Sequence, residues 1–232
     1  MITLGIDPSL TNTGFCIYDR NQAGIKSIIS LGSFQTPENM LEILRYDFIA
    51  DSIQQLIKKF KIKRVGSEHP IFGTSQSENL FALYAYIKKI FFKNKVDVVY
   101  FAPVQLKMLA KLDPAKKVKM TKTEMVTAML RDLNLKKASI NKMRITGDMA
   151  DAYHVALYAS RFWDYYDGNL SKQDLTKAEY KAFAYQHIFK RGIKKGKIDP
   201  NERGLIYKEN ELFFQFSKQK PFKKIKGTSK LI

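Results

Sequence analysis

The chain has 232 residues, 45% of them hydrophobic and 12% aromatic, which allows one domain with an appendage or two small domains. Its 40 Lys and Arg against 22 Asp and Glu give a net charge of +18. This excess favours a polyanionic partner, nucleic acid before an anionic membrane, over a simply soluble basic protein. A single cysteine excludes an intrachain disulfide, and no apolar run approaches the roughly 20 residues of a membrane span. We therefore expect a cytoplasmic location, or a nuclear or mitochondrial one where the source has those compartments.

The N-terminal part of the chain predicts three antiparallel strands. They lie at residues 2–7, 14–19 and 25–34, and the turns between them contain Asn12 and residues 21–24. Strands joined by such short turns are typical of a meander.

Helices and strands alternate in the part that follows. Apolar residues recur at helical spacing, and a proline at position 37 is a typical helix start. Helices are predicted at residues 37–60, 77–92, 103–110, 122–133 and 148–163, and strands at 64–68 and 96–101. A meander followed by this alternation predicts an α/β fold with a five-stranded mixed sheet flanked by helices.

The composition changes near residue 164. A helix is predicted at 175–190, followed by a Gly- and Lys-rich loop and by LIYKENELFFQF, which alternates like a strand or a hairpin. From residue 165 onward 16 Lys and Arg face 7 Asp and Glu, so this part contributes +9 of the net charge. We expect a domain over residues 1–163 and a basic C-terminal extension over 164–232.

Acidic residues occur at three places where a core does not favour them. Asp7 ends the first predicted strand, Glu68 ends the fourth, and Asp148 and Asp151 begin the last long helix on one face. If the first and fourth strands are neighbours, these acids converge at the carboxyl ends of the strands. Converging carboxylates need cations to stay ionised, and oxygen ligands favour Mg²⁺, with Mn²⁺ as a substitute. Two such ions are the arrangement for phosphodiester cleavage.

Three of the four acids also have a purely structural interpretation. Asp148 fits a helix cap after Gly147, Asp151 fits the first helical turn, and Glu68 fits a solvated strand end. Asp7 is harder to dismiss, because the residues around it are apolar or small and a proline follows it. The combination of four acids in a strongly basic chain is what favours a metal-dependent site.

Three motifs resemble those of the RuvC family of Holliday junction resolvases. GIDPSLTNTGF is similar to the family's opening GIDPG and T-G-aromatic pattern, GSEHPIF to its second motif, and GDMADAYHVALYA to its last, D-x-x-D-A. The resemblance covers about residues 1–163 and implies an RNase H-like fold, a homodimer and a Mg²⁺-dependent junction endonuclease that makes paired symmetric nicks. Ser9 replaces a family glycine and the extension has no counterpart in the compact bacterial enzymes, which suggests a divergent viral or phage member acting in the host cytoplasm.

The resemblance also implies roles for individual residues. Asp7, Glu68, Asp148 and Asp151 become the metal-binding catalytic acids, and Lys122 becomes a catalytic lysine near the scissile phosphate. The expected DNA-binding residues are Lys107, Lys122, the loop lysines Lys116, Lys117 and Lys119, and the wedge aromatic Phe72. A solvated loop is the alternative for the loop lysines, and the register of Phe72 is open.

Other interpretations stay open at this point. The substrate could instead be a flap, a fork or an RNA–DNA hybrid, and a junction-binding protein without catalysis is a different class. A kinase- or actin-like ATPase is disfavoured, because the chain is too short for a duplicated domain and lacks a phosphate-binding loop. His154 fits a packed helix histidine better than a peripheral metal ligand. The extension fits a DNA-contacting surface, a partner site or part of a dimer interface.

Overall fold

A computed structural model describes residues 1–69, 77–111, 120–137 and 144–183, together with the backbone of two short strands near the C-terminus. The predicted DNA-binding residues Phe72, Lys116, Lys117 and Lys119 lie outside the described residues. No helix in the described part of the chain combines the length and apolar character that a membrane span needs.

The predicted five-stranded mixed sheet is confirmed. Its strands are β1 (Ile2–Asp7), β2 (Asn12–Asp19), β3 (Ile28–Gln35), β4 (Arg64–Glu68) and β5 (Asp97–Phe101). The first three form the antiparallel meander, β4 pairs in parallel with β1, and β5 pairs in parallel with β4. The fold is RNase H-like, as the resemblance implies, and β1 and β4 are neighbours.

Two further strands extend the sheet beyond β5. The segment predicted as a strand or a hairpin near residue 205 forms a hairpin of β6 (Leu205–Lys208) and β7 (Glu211–Phe214), which pair antiparallel with each other. Strand β6 also pairs antiparallel with β5, so the order is β3-β2-β1-β4-β5-β6-β7. The C-terminal extension therefore continues the sheet, while the proposed division into two domains at residue 163 stays a prediction.

Six helices flank this sheet in the described residues. They are α1 (Glu42–Lys59), α2 (Ser77–Lys93), α3 (Pro103–Ala110), α4 (Lys122–Asp132), α5 (Gly147–Tyr166) and α6 (Lys177–Phe183). The bounds of α3 are those predicted. Helix α6 accounts for part of the helix predicted at 175–190, whose last residues lie outside the described part.

Strand β2 begins at Asn12, within the predicted turn, rather than at residue 14. Two other elements begin later than predicted because turns replace regular structure. The first helix begins at Glu42 rather than Pro37, since the Met40 backbone N–H donates to the Pro37 carbonyl at 3.1 Å and closes a turn. The third strand begins at Ile28, because Gly24–Ser27 forms a 3-10 turn in which Gly24 has a φ of +57°.

The sheet alternates its side chains between two helical layers. Leu4 and Ile6 of β1 belong to the core formed with α1 and α2, while Gly5 faces α5 on the other side. A Cβ on Gly5 would lie 2.3 Å from the Ala152 carbonyl oxygen, so α5 lies directly on the strand backbone. This close contact sets the distance between α5 and the sheet.

The extension contributes to the core on the α5 side. Leu175, Ala182 and Phe183 are buried in one cluster with Phe101 of β5 and Phe162 of α5. The ring of Phe183 lies 5.6 Å from that of Phe162, edge to face. The segment around α6 is therefore packed against the rest of the molecule.

Candidate active site

Asp7 and Glu68 lie side by side at the carboxyl ends of two parallel strands. Each is two residues beyond a glycine that faces α5, namely Gly5 and Gly66, so strand alternation directs both carboxylates to the α5 side of the sheet. The Tyr84 hydroxyl of α2 donates to the Glu68 carbonyl oxygen and holds the end of β4. This juxtaposition is the one the sequence predicts from the order of its strands.

Helix α5 brings the other two predicted acids to the same place. Thr146, and not Asp148, caps this helix, because its hydroxyl oxygen accepts from the Met149 backbone N–H at 3.3 Å. A Cβ on Gly14 would lie 2.2 Å from the Asp148 carbonyl oxygen, so the first turn of α5 lies on β2. Gly14 is the partner of Asp7 in the sheet register, which places Asp148 beside Asp7.

All four acids line one cleft of about 260 Å³. The cleft is open on one side and is large enough for several water molecules or hydrated ions. Its walls also carry both lysines expected near a scissile phosphate. The lining residues are Asp7, Ser9, Glu68, Pro103, Leu106, Lys107, Lys122, Met125, Asp148 and Asp151.

Asp148 has two side-chain partners. The Lys122 ammonium donates to Oδ1 and forms an ion pair with it, and the Asn12 amide donates to Oδ2. We expected Asn12 only as a turn residue after the first strand. No local sequence signal links it to Asp148, because 136 positions separate the two residues.

Helix α4 positions Lys122 through its N-terminal cap. The Glu124 backbone N–H donates to the Thr121 hydroxyl at 3.4 Å, and the Glu124 carboxylate accepts from the Thr121 backbone N–H. This capping box, T-x-x-E in the sequence, fixes the first turn of the helix. Lys122 is the first residue of that turn and reaches across to α5, where its aliphatic stem covers Gly147.

Helix α3 positions Lys107 in the wall of the cleft. The Ala102 backbone N–H donates to the Gln105 side-chain oxygen at 2.8 Å, which closes the first turn of α3. The Tyr158 hydroxyl of α5 donates to the Leu109 carbonyl at 2.8 Å and ties the far end of α3 to α5. Lys107 therefore lies on a helix that is fixed at both ends.

Burial raises the pKa values of three of the four acids, Asp7, Glu68 and Asp151. Burial raises the pKa of Asp7 to about 8, and the charges of Asp151 and Asp148 add to the effect. Burial and the charges of Asp7 and Asp151 raise the pKa of Glu68 well above its usual range. Burial also raises the pKa of Asp151 to about 6. Near neutral pH the cleft therefore holds carboxyl protons that a cation can displace.

The carboxylates that disfavour one another's charge favour the charged form of Lys122. Burial lowers the pKa of its ammonium, but the hydrogen bond and the charge of Asp148 outweigh burial and raise that pKa above its usual value. Lys122 therefore remains a cation at every pH at which the acids titrate. It supplies positive charge at the mouth of the cleft without removing the need for a further cation.

The donor set of the cleft suits a hard divalent cation. Among the described lining residues the ionisable ligands are four carboxylates, with no thiol or imidazole. Burial, reinforced by the charges of neighbouring carboxylates, raises the pKa values of Asp7 and Glu68. Within the described ranges, no three His, Cys, Asp or Glu side chains are already placed around a common metal position. Asp148 is turned toward Asn12 and Lys122, so an ion would require the carboxylates to rotate inward.

Some candidate residues do not reach the cleft. His154 is fully buried, and its Nε2 lies 3.1 Å from the Met125 carbonyl of α4, so it is a packing residue between two helices. Thr13 is buried as well, and its hydroxyl donates to the Ser9 carbonyl at 2.6 Å within the turn after β1. Thr13 therefore stabilises this turn.

Comparison with known proteins supports the same family from both sequence and fold. A family model described as crossover junction endodeoxyribonuclease RuvC matches residues 3–158. The crossover junction endodeoxyribonuclease RuvC of Prochlorococcus marinus is 29% identical over 159 residues, which cover 68% of this chain and 96% of that protein.

Two solved structures of Thermus thermophilus RuvC have the same fold. One is described as RuvC in complex with a Holliday junction substrate, and the other as the RuvC structure. Each has a TM-score of 0.56 and is 18% identical to this chain, of which it covers 72%. The matched part spans 96% of the first structure and 97% of the second.

Proposed function

Because this chain belongs to the RuvC family of crossover junction endodeoxyribonucleases, we propose that it is a structure-specific endonuclease that cleaves four-way DNA junctions. The observation that carries the proposal is the cleft in which Asp7, Glu68, Asp148 and Asp151 meet at the carboxyl ends of β1 and β4. A hydrolytic site for a phosphodiester needs such a concentration of carboxylates beside cationic side chains.

The four acids are the proposed ligands of two divalent cations, Mg²⁺ with Mn²⁺ as a substitute. When bound, these ions supply an activated water molecule and stabilise negative charge on the leaving 3′ oxygen, which yields 5′-phosphate and 3′-hydroxyl ends. The raised pKa values of Asp7 and Glu68 mean that ion binding must displace protons from the cleft.

The two lysines have separate proposed roles at the phosphate. Lys122 stands at the open side of the cleft with 67% of its side chain exposed, so it can leave Asp148 and contact the scissile phosphate. Lys107, which also lines the cleft, positions the same strand. The open cleft admits a DNA backbone because the turn after Asp7 carries small residues such as Ser9.

A homodimer is part of the proposal. A four-way junction requires two symmetric nicks, and an isologous dimer presents two identical clefts related by a two-fold axis. A monomer would nick one strand without coordinating the second cut. The basic C-terminal extension, with +9 of the net charge, would add to the DNA-contacting surface.

Incubation with a synthetic four-way junction tests the proposal. The expected result is paired nicks at symmetric positions with Mg²⁺ and none with EDTA, mapped on strands labelled one at a time. Flap, fork and RNA–DNA hybrid substrates belong in the same panel. Faster cutting of one of these would replace the junction as substrate, and junction binding without a metal-dependent product would refute catalysis.

A further inference from the structure

The end of the sheet opposite the cleft carries a group of exposed lysines. Strands β4 and β5 begin there, each immediately after the turn that follows α1 or α2. We call this group the lysine end; its members are Lys58, Lys59, Lys61, Lys63, Lys93 and Lys95, all exposed. None of the six forms an ion pair with an acid among the residues that the structure describes.

The two turns that carry these lysines lie side by side. Arg64 and Asp97 are paired in the parallel ladder of β4 and β5. The Asp97 backbone N–H donates to the Lys63 carbonyl at 2.9 Å, which joins the two turns directly. Neighbouring strands are about 4.8 Å apart, so the lysines of the two turns form one continuous patch.

Both turns hold a lysine in a backbone conformation that side chains disfavour. After α1, the Ile62 N–H donates to the Ile57 carbonyl at 3.0 Å and the Lys61 N–H to the Lys58 carbonyl at 3.3 Å. This is a Schellman motif, in which the residue corresponding to Lys61 is usually glycine because its φ is positive. Lys61 has a φ of 52°.

The turn after α2 repeats this arrangement. The Val96 N–H donates to the Phe91 carbonyl at 3.2 Å, and the Lys95 N–H donates to the Phe92 carbonyl at 3.1 Å. Lys95 has a φ of 51°, again at the position that favours glycine. Two adjacent turns therefore accept the same unfavourable residue.

Other helices of the molecule use the favoured residues at this position. Helix α4 ends in a Schellman motif with Asn134 there, and α5 ends in one with Gly168. The fold is thus able to place Asn or Gly in such a turn. Lysine occupies this position only at the two described turns that share one end of the sheet. Strained backbone conformations cluster at functional sites, which indicates that these two lysines have a function.

Acids near this patch are neutralised without the lysines. Arg64 lies 3.4 Å from the Asp97 carboxylate and 3.2 Å from the Asp167 carboxylate. The guanidinium also covers the ring of Trp163 at 4.4 Å from its centroid. The lysine charges therefore remain available to an external polyanion.

We propose that the lysine end is a second DNA-binding surface, which holds the phosphate backbone of a duplex without reading its bases. Strand β4 spans five residues, or about 15 Å, so this surface is separated from the cleft by roughly the length of that strand. A duplex held there is a different segment from the strand in the cleft. Ammonium groups on flexible stems suit phosphate contacts that carry no sequence information.

Duplex DNA is favoured over an anionic membrane as the occupant. The choice rests on the proposed function, because a four-way junction consists of four duplex arms of which only part can enter the cleft. The proposed binding itself requires neither a branch nor a metal ion. The lysine end can therefore prove not to bind duplex DNA while the protein still cleaves junctions. Equally, it can bind duplex DNA in a protein that does not cleave junctions.

The double variant Lys61→Gly/Lys95→Gly tests this surface. Glycine relieves the positive φ at both positions, so the melting temperature should equal or exceed that of the wild type. Binding of an unbranched blunt duplex is measured in EDTA over a range of salt concentrations. The slope of log K against log salt should be smaller by about 2, since each lost phosphate contact contributes roughly 0.9.

The matched control is Lys136→Gln/Lys137→Gln, which removes the same charge from two exposed lysines beyond α4. Its slope should stay within a few tenths of the wild type. The asparagine pair Lys61→Asn/Lys95→Asn tolerates positive φ and serves if the glycine pair unfolds. An unchanged slope in both pairs, or an equal loss in the control, overturns the proposal. Loss of binding to phosphatidylserine vesicles with duplex binding intact would assign the surface to membranes instead.

Discussion

Strands β1 and β4 carry acids at their carboxyl ends, whereas β4 and β5 follow lysines at their amino ends. In the cleft, burial raises the pKa values of Asp7 and Glu68, and the charges of neighbouring carboxylates add to the effect. At the lysine end, Lys61 and Lys95 stand in water without a described acidic partner. The desolvated carboxylates of the cleft favour the binding of cations, and bound cations can take part in chemistry. Solvated charges serve long-range attraction, which salt screens.

The largest effect is expected at the cleft. Asp7→Asn should lower the rate of junction cleavage by roughly a thousandfold or more, because it removes one of the four proposed cation ligands. Junction affinity in EDTA should stay close to that of the wild type. The lysine-end variant is the converse control, since its cleavage rate at saturating protein should be retained. Comparable cutting by Asp7→Asn would refute the assignment of this acid.

The close contact between α5 and the sheet gives the next largest effect. Gly5→Ala places a Cβ 2.3 Å from the Ala152 carbonyl oxygen, and backbone cannot yield there. We expect a loss of about 3 kcal/mol in the free energy of unfolding, measured with urea. Gly32→Ala is the matched control, because its Cβ meets only the ring of Phe15, at 2.9 Å. Equal losses of unfolding free energy in the two variants would show that the contact between α5 and β1 is no more sensitive to an added Cβ than the Gly32 position.

The stability of the metal-free protein should fall as the pH rises from 6.5 to 8. Asp7 has a pKa of about 8 in the folded state against 3.8 as its usual value, so the folded state binds the extra proton and loses stability as that proton leaves. Burial lowers the pKa of His154 to about 4, which has the opposite sign but acts only below its usual value of 6.5. Asp7 by itself accounts for a loss of about 2 kcal/mol over this window, and the raised pKa of Glu68 acts in the same direction.

Thermal unfolding in EDTA across that window provides the measurement. Asp7→Asn should flatten the pH dependence, and Mg²⁺ should restore the stability of the wild type at pH 8. A wild-type protein that gains stability from pH 6.5 to 8 without metal would contradict the raised pKa of Asp7.

The smallest effect separates a lysine of the cleft from those of the lysine end. Lys122→Met should lower kcat about tenfold to a hundredfold, less than a fully buried donor would, because Lys122 is largely exposed. For duplex binding by this variant, the slope of log K against log salt should change by at most about 0.9, the contribution of one phosphate contact. Lys61→Gly/Lys95→Gly should instead weaken binding and spare kcat. If both variants change the same parameter, the distinction between the two ends fails.

The acids of the cleft could be predicted because local patterns fix their positions. A strand ends where Pro8 interrupts it, and a D-x-x-D pair projects from one face of a helix. The bounds of β1, β4 and α3 follow from the same local patterns. Once β1 and β4 are neighbours, the convergence of the acids follows from strand polarity.

Other features depend on tertiary contacts that no local pattern contains. Asn12 reaches Asp148 only because Gly14 lets α5 approach β2. The first helix begins late because the chain forms a turn after Pro37. The positive φ of Lys61 and Lys95 likewise results from two helix ends that must turn into adjacent strands, and the sequence offers neither glycine nor asparagine at these positions to reveal it.

Titration calorimetry with Mg²⁺ at pH 7, in two buffers that differ in ionisation enthalpy, tests the central claim most directly. If the four carboxylates form one divalent-cation site, the wild type should bind Mg²⁺ and release at least about one proton, because Asp7 with a pKa of about 8 is mostly protonated at that pH and the pKa of Glu68 is raised as well. Asp7→Asn should bind more weakly and release less. Absence of Mg²⁺ binding, or the same affinity and proton release in both proteins, would contradict the account.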